Sequence, residues 1–254
     1  MATIDLNVDI GEGGAHDDAL LDYATSVNIA CGWHAGDAVT MRRTAAAALA
    51  RGIALGAHPG YPDREHFGRR SMEMNREDLY AAIQYQVAAL GGIVKAMDGR
   101  LSHIKPHGAL YHDAERDPSI ADAIVSAVRD LDSSLAIYGL SGGRLVAAAR
   151  AAGLVAIDET FADRAYRADG TLVPRSEPGA VIDDAALAGE RAAAMVSSGG
   201  VEAQDGTWVP VVAQTVCLHG DALHAPEFAA RIHAAMGRGG VQVRRPRARC
   251  LDTD

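Results

Sequence analysis

The feature that most constrains this chain is a rhythm: short apolar runs alternate with longer helix-forming segments along its length. Strands are predicted at Thr3–Val8, Ser26–Ala30, Ile53–Ala57, Ser102–Lys105, Leu135–Tyr138, Leu154–Ile157 and Val211–Leu218, with Val241–Val243 as an eighth strand or a short edge. Helices are predicted between them. Val39–Ala50 is rich in Ala, Arg76 to about Leu90 starts behind Asn75 as N-cap, and Pro118–Leu131 has Asp117 as cap and Pro in its first turn. Gly143–Ala152, Asp184–Ser197 and Pro226–Met236 each run into glycine. Such a repeat implies a parallel sheet with helical crossovers. About seven or eight units in 254 residues suit a closed or nearly closed barrel; an open doubly wound sheet fits the same rhythm less well. No composition break divides the chain, so residues 1–254 read as one domain. Two long loops, 58–75 and about 160–183, read as covers or interface elements.

Composition narrows the function classes. The net charge of −9 argues against nucleic acid as a partner, which needs a concentrated basic surface. The one basic cluster, Arg244, Arg245, Arg247 and Arg249, reads as a solvated tail. Cys31, Cys217 and Cys250 give neither a disulfide framework nor a thiolate zinc spacing. No basic segment followed by an apolar run opens the chain, and no stretch approaches the roughly 18 apolar residues of a membrane span. A cytoplasmic location without membrane contact is expected. Lysine is rare, with only Lys95 and Lys105 present.

The polar residues fall where the predicted strands end. Asn7, Asp9 and Glu12 close the first, His34 and Asp37 the second, His58 the third, and Lys105 and His107 the fourth. Glu159, Asp163, Arg164 and Tyr166 follow the sixth, and His219 and Asp221 the seventh. In a parallel α/β fold these ends share one face, where substrates bind. Asn7 and Asp9 alternate with Leu6, Val8 and Ile10, which points both into the barrel. Asp37 reads either as a site residue or as the cap of the next helix. His103 reads as a packed core residue, and His16, His66, His112, His224 and His233 as loop or surface residues.

Lys105-Pro106-His107-Gly108 is the most informative segment. A lysine held at a strand end neutralises a substrate carboxylate or an oxyanion, and a histidine beside it moves protons near neutral pH. A carboxylate near His219 would orient it as a base. His58, His107 or His219 with Asp9 offers donors suited to zinc, but no His-x-x-x-His spacing supports a metal, and its presence stays open. No Gly-x-x-x-x-Gly-Lys-Ser/Thr element precedes either lysine.

Six segments together resemble the LamB/YcsF family: Asp5–Glu12, Asn28–Asp37, Gly56–Asp63, Lys105–Tyr111, Phe161–Tyr166 and His219–Asp221. The resemblance runs in order over nearly the whole chain. It implies an irregular seven-stranded (β/α) barrel of the glycoside hydrolase/deacetylase type. It also implies the A component of an ATP-hydrolysing 5-oxoprolinase, which opens 5-oxoproline to L-glutamate with partner subunits B and C and with ATP and Mg2+. Val8 stands where the family usually has Cys, which removes a nucleophilic thiol there, and Trp33 stands for Phe and is expected to narrow the pocket.

On this reading Asp9 and His58 activate water or the lactam, with His107 and His219 as further proton carriers. Lys105 or Arg164 holds the substrate carboxylate. Asn7, Glu12, His34, Asp37, Asp163, Tyr166 and Asp221 complete the substrate site. Two other functions fit the same residues: a stand-alone metal-dependent amide hydrolase or deacetylase, with Asp9, His58 and His107 as its ligands, and a non-catalytic subunit that binds 5-oxoproline.

Overall fold

Seven parallel strands close on themselves in the computed structural model, which describes residues 2–219 and 224–245. The strands of the wall are β1 (Thr3–Ile10), β2 (Ser26–Ala30), β3 (Ala54–His58), β4 (Leu101–Ile104), β5 (Ala136–Leu140), β6 (Ala156–Phe161) and β9 (Thr215–His219). They pair in that order, and β9 returns to β1, with Asn7 opposite Cys217 and Asp9 opposite His219. The open doubly wound sheet is thereby excluded. The short strand β10 (Gln242–Val243) pairs with Thr3 and Ile4, just below where β9 begins, and so is an edge. An antiparallel ribbon, β7 (Gly200–Glu202) with β8 (Trp208–Pro210), lies outside the wall and was not predicted.

The helices are α1 (Asp17–Leu20), α2 (Ala38–Ala50), α3 (Arg76–Lys95), α4 (Gly108–Arg116), α5 (Pro118–Asp132), α6 (Arg144–Ala151), α7 (Ala185–Ser198) and α8 (Ala225–Arg238). Asn75 Oδ1 accepts the Asp78 amide at 2.8 Å, and Asp117 caps α5 ahead of Pro118. Each such cap is worth about 1 kcal/mol. Leu6, Val8 and Ile10 turn outward from β1 into the main apolar cluster, which includes Leu79, Ile83, Val87 and Leu90 of α3. That burial, at roughly 25 cal/mol per Å2 of apolar surface, drives the closure of the helical layer.

The barrel interior is polar at several levels. Asp5 accepts from Thr25 at 2.6 Å, Ser26 at 2.7 Å and Thr215 at 2.6 Å. Above it, the Asn28 amide donates to Asn7 and to Asp9, both at 2.7 Å. This polar lining explains the first of two shifted boundaries. An apolar-run criterion ends the sixth strand at Ile157, but β6 continues through Asp158, Glu159 and Thr160 to Phe161. The seventh strand begins only at Thr215, four residues later than its apolar run.

Candidate active site

Lys105 is the hub of the barrel's upper interior. It follows β4, and its ammonium lies 3.0 Å from Asp9 Oδ1 of β1, 2.9 Å from Glu159 Oε1 of β6 and 2.9 Å from Cys217 Sγ of β9. Asn7 holds Glu159 from the other side, donating to the same Oε1 at 2.9 Å and to Thr215 at 2.8 Å. All are buried. Burial works against the charge on Lys105, yet Asp9 beside it holds its pKa well above the usual value. Burial likewise raises Asp9, but His58 and Lys105 outweigh it and keep that carboxyl well below the ordinary range. Both groups are therefore ionised at neutral pH.

A second cluster adjoins the first. Glu12 Oε1 lies 3.2 Å from His34 Nε2, 3.2 Å from His107 Nδ1 and 3.7 Å from His58 Nε2. His58 Nε2 also faces Asp9 Oδ2 at 3.4 Å. The far nitrogens of two rings are fixed by backbone: His58 Nδ1 meets Lys105 O at 2.7 Å and His107 Nε2 meets Phe67 O at 2.8 Å. Glycines make room for these rings. A Cβ at Gly60 would stand 2.8 Å from His34 Nδ1, and one at Gly68, whose φ is +64°, 2.7 Å from His34 Cβ. Burial pushes His34 down to about 3 against the help of Glu12, so that ring is neutral.

On the opposite wall His219 Nδ1 pairs with Asp163 at 2.7 Å, and the His219 ring stacks on Phe161 at 5.7 Å. Between the walls opens a cavity of about 400 Å3, within the size range of small-molecule sites. Asp9, His58, Lys105, His107 and His219 all line it. So do Arg69, Arg116, Arg164 and Arg175, together with His112. In a chain of net charge −9, four arginines around one opening set a local field that favours an anionic ligand.

A model of the LamB/YcsF family matches residues 4–250. The chain belongs to the LamB/YcsF family. A lactam utilization protein from Thermus thermophilus is 43% identical and superposes with a TM-score of 0.90, over 95% of this chain and 99% of that one. A family 4 carbohydrate esterase from Streptomyces lividans, solved with acetate, is 10% identical with a TM-score of 0.50, over 95% of this chain and 91% of that one. At that identity the likeness shows the deacetylase-type barrel and nothing more.

Several LamB/YcsF motif residues lie away from the cavity. Asp37 is exposed, is not among the cavity's lining residues, and caps α2 through the Thr40 amide at 2.7 Å, the cap being one of its two readings. Tyr166 is buried and accepts the Phe161 amide at 2.9 Å, bracing the turn after β6. Arg164 lines the cavity, but its guanidinium donates to Val173 O and Ala180 O. Trp33 packs against Tyr85 at 6.0 Å and is not among the cavity's lining residues, contrary to the narrowing expected of it. Asp221 lies outside the described residues, as do Arg247, Arg249 and Cys250.

Other members of the site carried little signal in the sequence. Glu159, read as following the sixth strand, falls within β6, and its pairing with Lys105 was not foreseen. His112, expected at the surface, sits on α4 facing the cavity, and burial with Arg164 beside it lowers it to about 4. Helix α4 itself was hidden because Pro106 and Gly108 read as loop. Arg175 lies in the long loop after β6, where nothing but the fold directs it inward.

Proposed function

We propose that this chain is the A component of an ATP-dependent 5-oxoprolinase and opens the lactam ring of 5-oxoproline to L-glutamate. The observation that carries the reading is the buried Lys105–Asp9 pair at the floor of an arginine-rimmed cavity. The family and the lactam utilization protein at 43% identity supply the substrate class.

A lactam amide is resonance-stabilised and resists water. Transfer of the ATP γ-phosphoryl group to the lactam oxygen removes that resistance and releases ADP. Water then adds to the ring carbon, and the carbon–nitrogen bond breaks as the nitrogen takes up protons. The resulting acyl phosphate is hydrolysed by a second water, giving glutamate and phosphate. In this chain Lys105 faces the oxygen on which negative charge builds, where a preorganised cation is worth most. Asp9, held beside His58, takes a proton from water, and the His219–Asp163 pair delivers one to the leaving nitrogen. With the Arg164 guanidinium bonded to two carbonyls, the substrate carboxylate falls to the other rim cations and to the local field. No Gly-x-x-x-x-Gly-Lys-Ser/Thr element precedes either lysine, so on this reading nucleotide and Mg2+ bind with subunits B and C or at a site of another kind.

Omission tests the proposal. Radiolabelled 5-oxoproline is incubated with ATP and Mg2+ plus the chain alone, subunits B and C alone, or all three. Glutamate is expected from the complete mixture only. Equal turnover without this chain would remove it from the reaction. The stand-alone metal-dependent amide hydrolase is favoured by the Glu12–histidine cluster; ATP-independent turnover by the chain alone would select it.

A further inference from the structure

We propose that Glu12, His58 and His107 form a binding site for one divalent ion of the zinc class, with His34 positioning Glu12. Lys105 O and Phe67 O can only accept, so His58 carries its hydrogen on Nδ1 and His107 on Nε2. With both rings neutral, as metal binding requires, the two remaining nitrogens, His58 Nε2 and His107 Nδ1, present lone pairs to each other at 3.0 Å. Glu12 Oε1 lies 3.2 Å from one and 3.7 Å from the other. Three buried donor atoms at such distances gather round one positive centre, either a proton on His58, where burial is outweighed by Asp9 and Glu12 and the pKa is raised, or a metal ion in that proton's place.

A metal ion is the centre these donors fit. Zinc binds imidazole nitrogen and carboxylate oxygen at about 2.0–2.2 Å, so neighbouring donors around a tetrahedral ion stand about 3.3 Å apart. The three separations here straddle that value. Imidazole rings that give their second N–H to a backbone carbonyl are the usual outer shell of such ions. Two histidines, one glutamate and an open fourth position make a donor set that zinc uses in catalysis. The fourth position belongs to the cavity, since His58 and His107 both line it.

His34 has a different part. Its ring lies parallel to that of His107, 3.7 Å away at an interplanar angle of 3°, so the two cannot aim lone pairs at one point. The rings of His58 and His107 stand at 88° and can. His34 Nε2 donates to Glu12 instead, which leaves its buried Nδ1 without a partner. Asp9 is a poorer ligand, because Lys105 and the Asn28 amide already occupy its carboxylate.

The test uses full-length, tag-free protein stripped with a chelator and titrated with ZnCl2 by calorimetry. One ion per chain is expected, with binding weakened at least about a hundredfold in Glu12→Gln and His107→Gln, and about ten- to a hundredfold in His34→Gln. Circular dichroism of the metal-free variants checks that each is folded. Anomalous zinc scattering from crystals supplies a second readout that needs no variant, and places the ion between Glu12, His58 and His107. Absence of saturable binding overturns the proposal. So does unchanged affinity in the folded variants, or an anomalous peak at the other donor group, Asp9, Cys217 and His219. None of these measurements involves lactam, ATP or subunits B and C, so the metal site and the proposed reaction fail independently.

Discussion

Lys105 sits between two carboxylates that burial would otherwise make intolerable. Asp9 and Glu159 are each within 3.0 Å of its ammonium, and neither has more than marginal contact with solvent. Removing the cation leaves like charges facing one another in a low-dielectric interior. Lys105→Met is therefore expected to cost about 3–5 kcal/mol of stability, measured by urea denaturation. Adding Glu159→Gln should recover part of that loss, because the two groups interact directly. A Lys105→Met chain as stable as wild type would contradict the pairing.

His103 makes a separate prediction. It is buried, meets Asn28 Oδ1 at 2.8 Å and stacks on Tyr138 at 4.0 Å, as expected of a core histidine. Burial, followed by the charge of Lys105, lowers it to about 3 from 6.5. Between those values the unfolded chain takes up a proton that the folded chain refuses, so stability falls as pH drops through that window. The slope from this group is at most about 1.4 kcal/mol per pH unit. His103→Gln should flatten the melting temperature against pH below about 6.5; an unchanged acid slope would assign the effect elsewhere.

At the scale of elements, the positions of strands and most helices were legible because their outward faces are apolar. Period-two alternation in β1 placed Asn7 and Asp9 inside, where they are found buried. Helices α3 and α5 announced their starts through Asn75 and through Asp117 with Pro118. What escaped was polar sequence with an inward face: the upper half of β6, and the α4 start at Gly108, where φ is +54° and a Cβ would stand 2.6 Å from Gly68 O. Close approach between elements was equally hidden. A Cβ at Gly56 of β3 would fall 2.1 Å from His103 Nε2 of β4, in steric overlap with the edge of the imidazole ring. Gly56→Ala should thus cost roughly 1–3 kcal/mol or more, the usual range for overpacking a core. Calorimetric melting checks it; a cost near zero would mean the ring has room to move.

At the scale of the molecule, closure turns scattered sequence into one site. Because β9 pairs back onto β1, His219 is brought opposite Asp9 from 210 positions away in the chain. Composition foretold an acidic molecule, but the concentration of Arg69, Arg116, Arg164 and Arg175 around one opening arises only from the fold. Among the described residues no helix is long and apolar enough to cross a membrane. Chemistry at this opening is the account's central claim, and turnover of labelled 5-oxoproline by the complete three-component mixture measures it most directly. With Asp9→Asn in place of the wild-type chain, the account predicts that glutamate formation falls at least about a hundredfold, the scale of a lost general base, while the variant remains folded. Glutamate produced at the wild-type rate by that folded variant would contradict it.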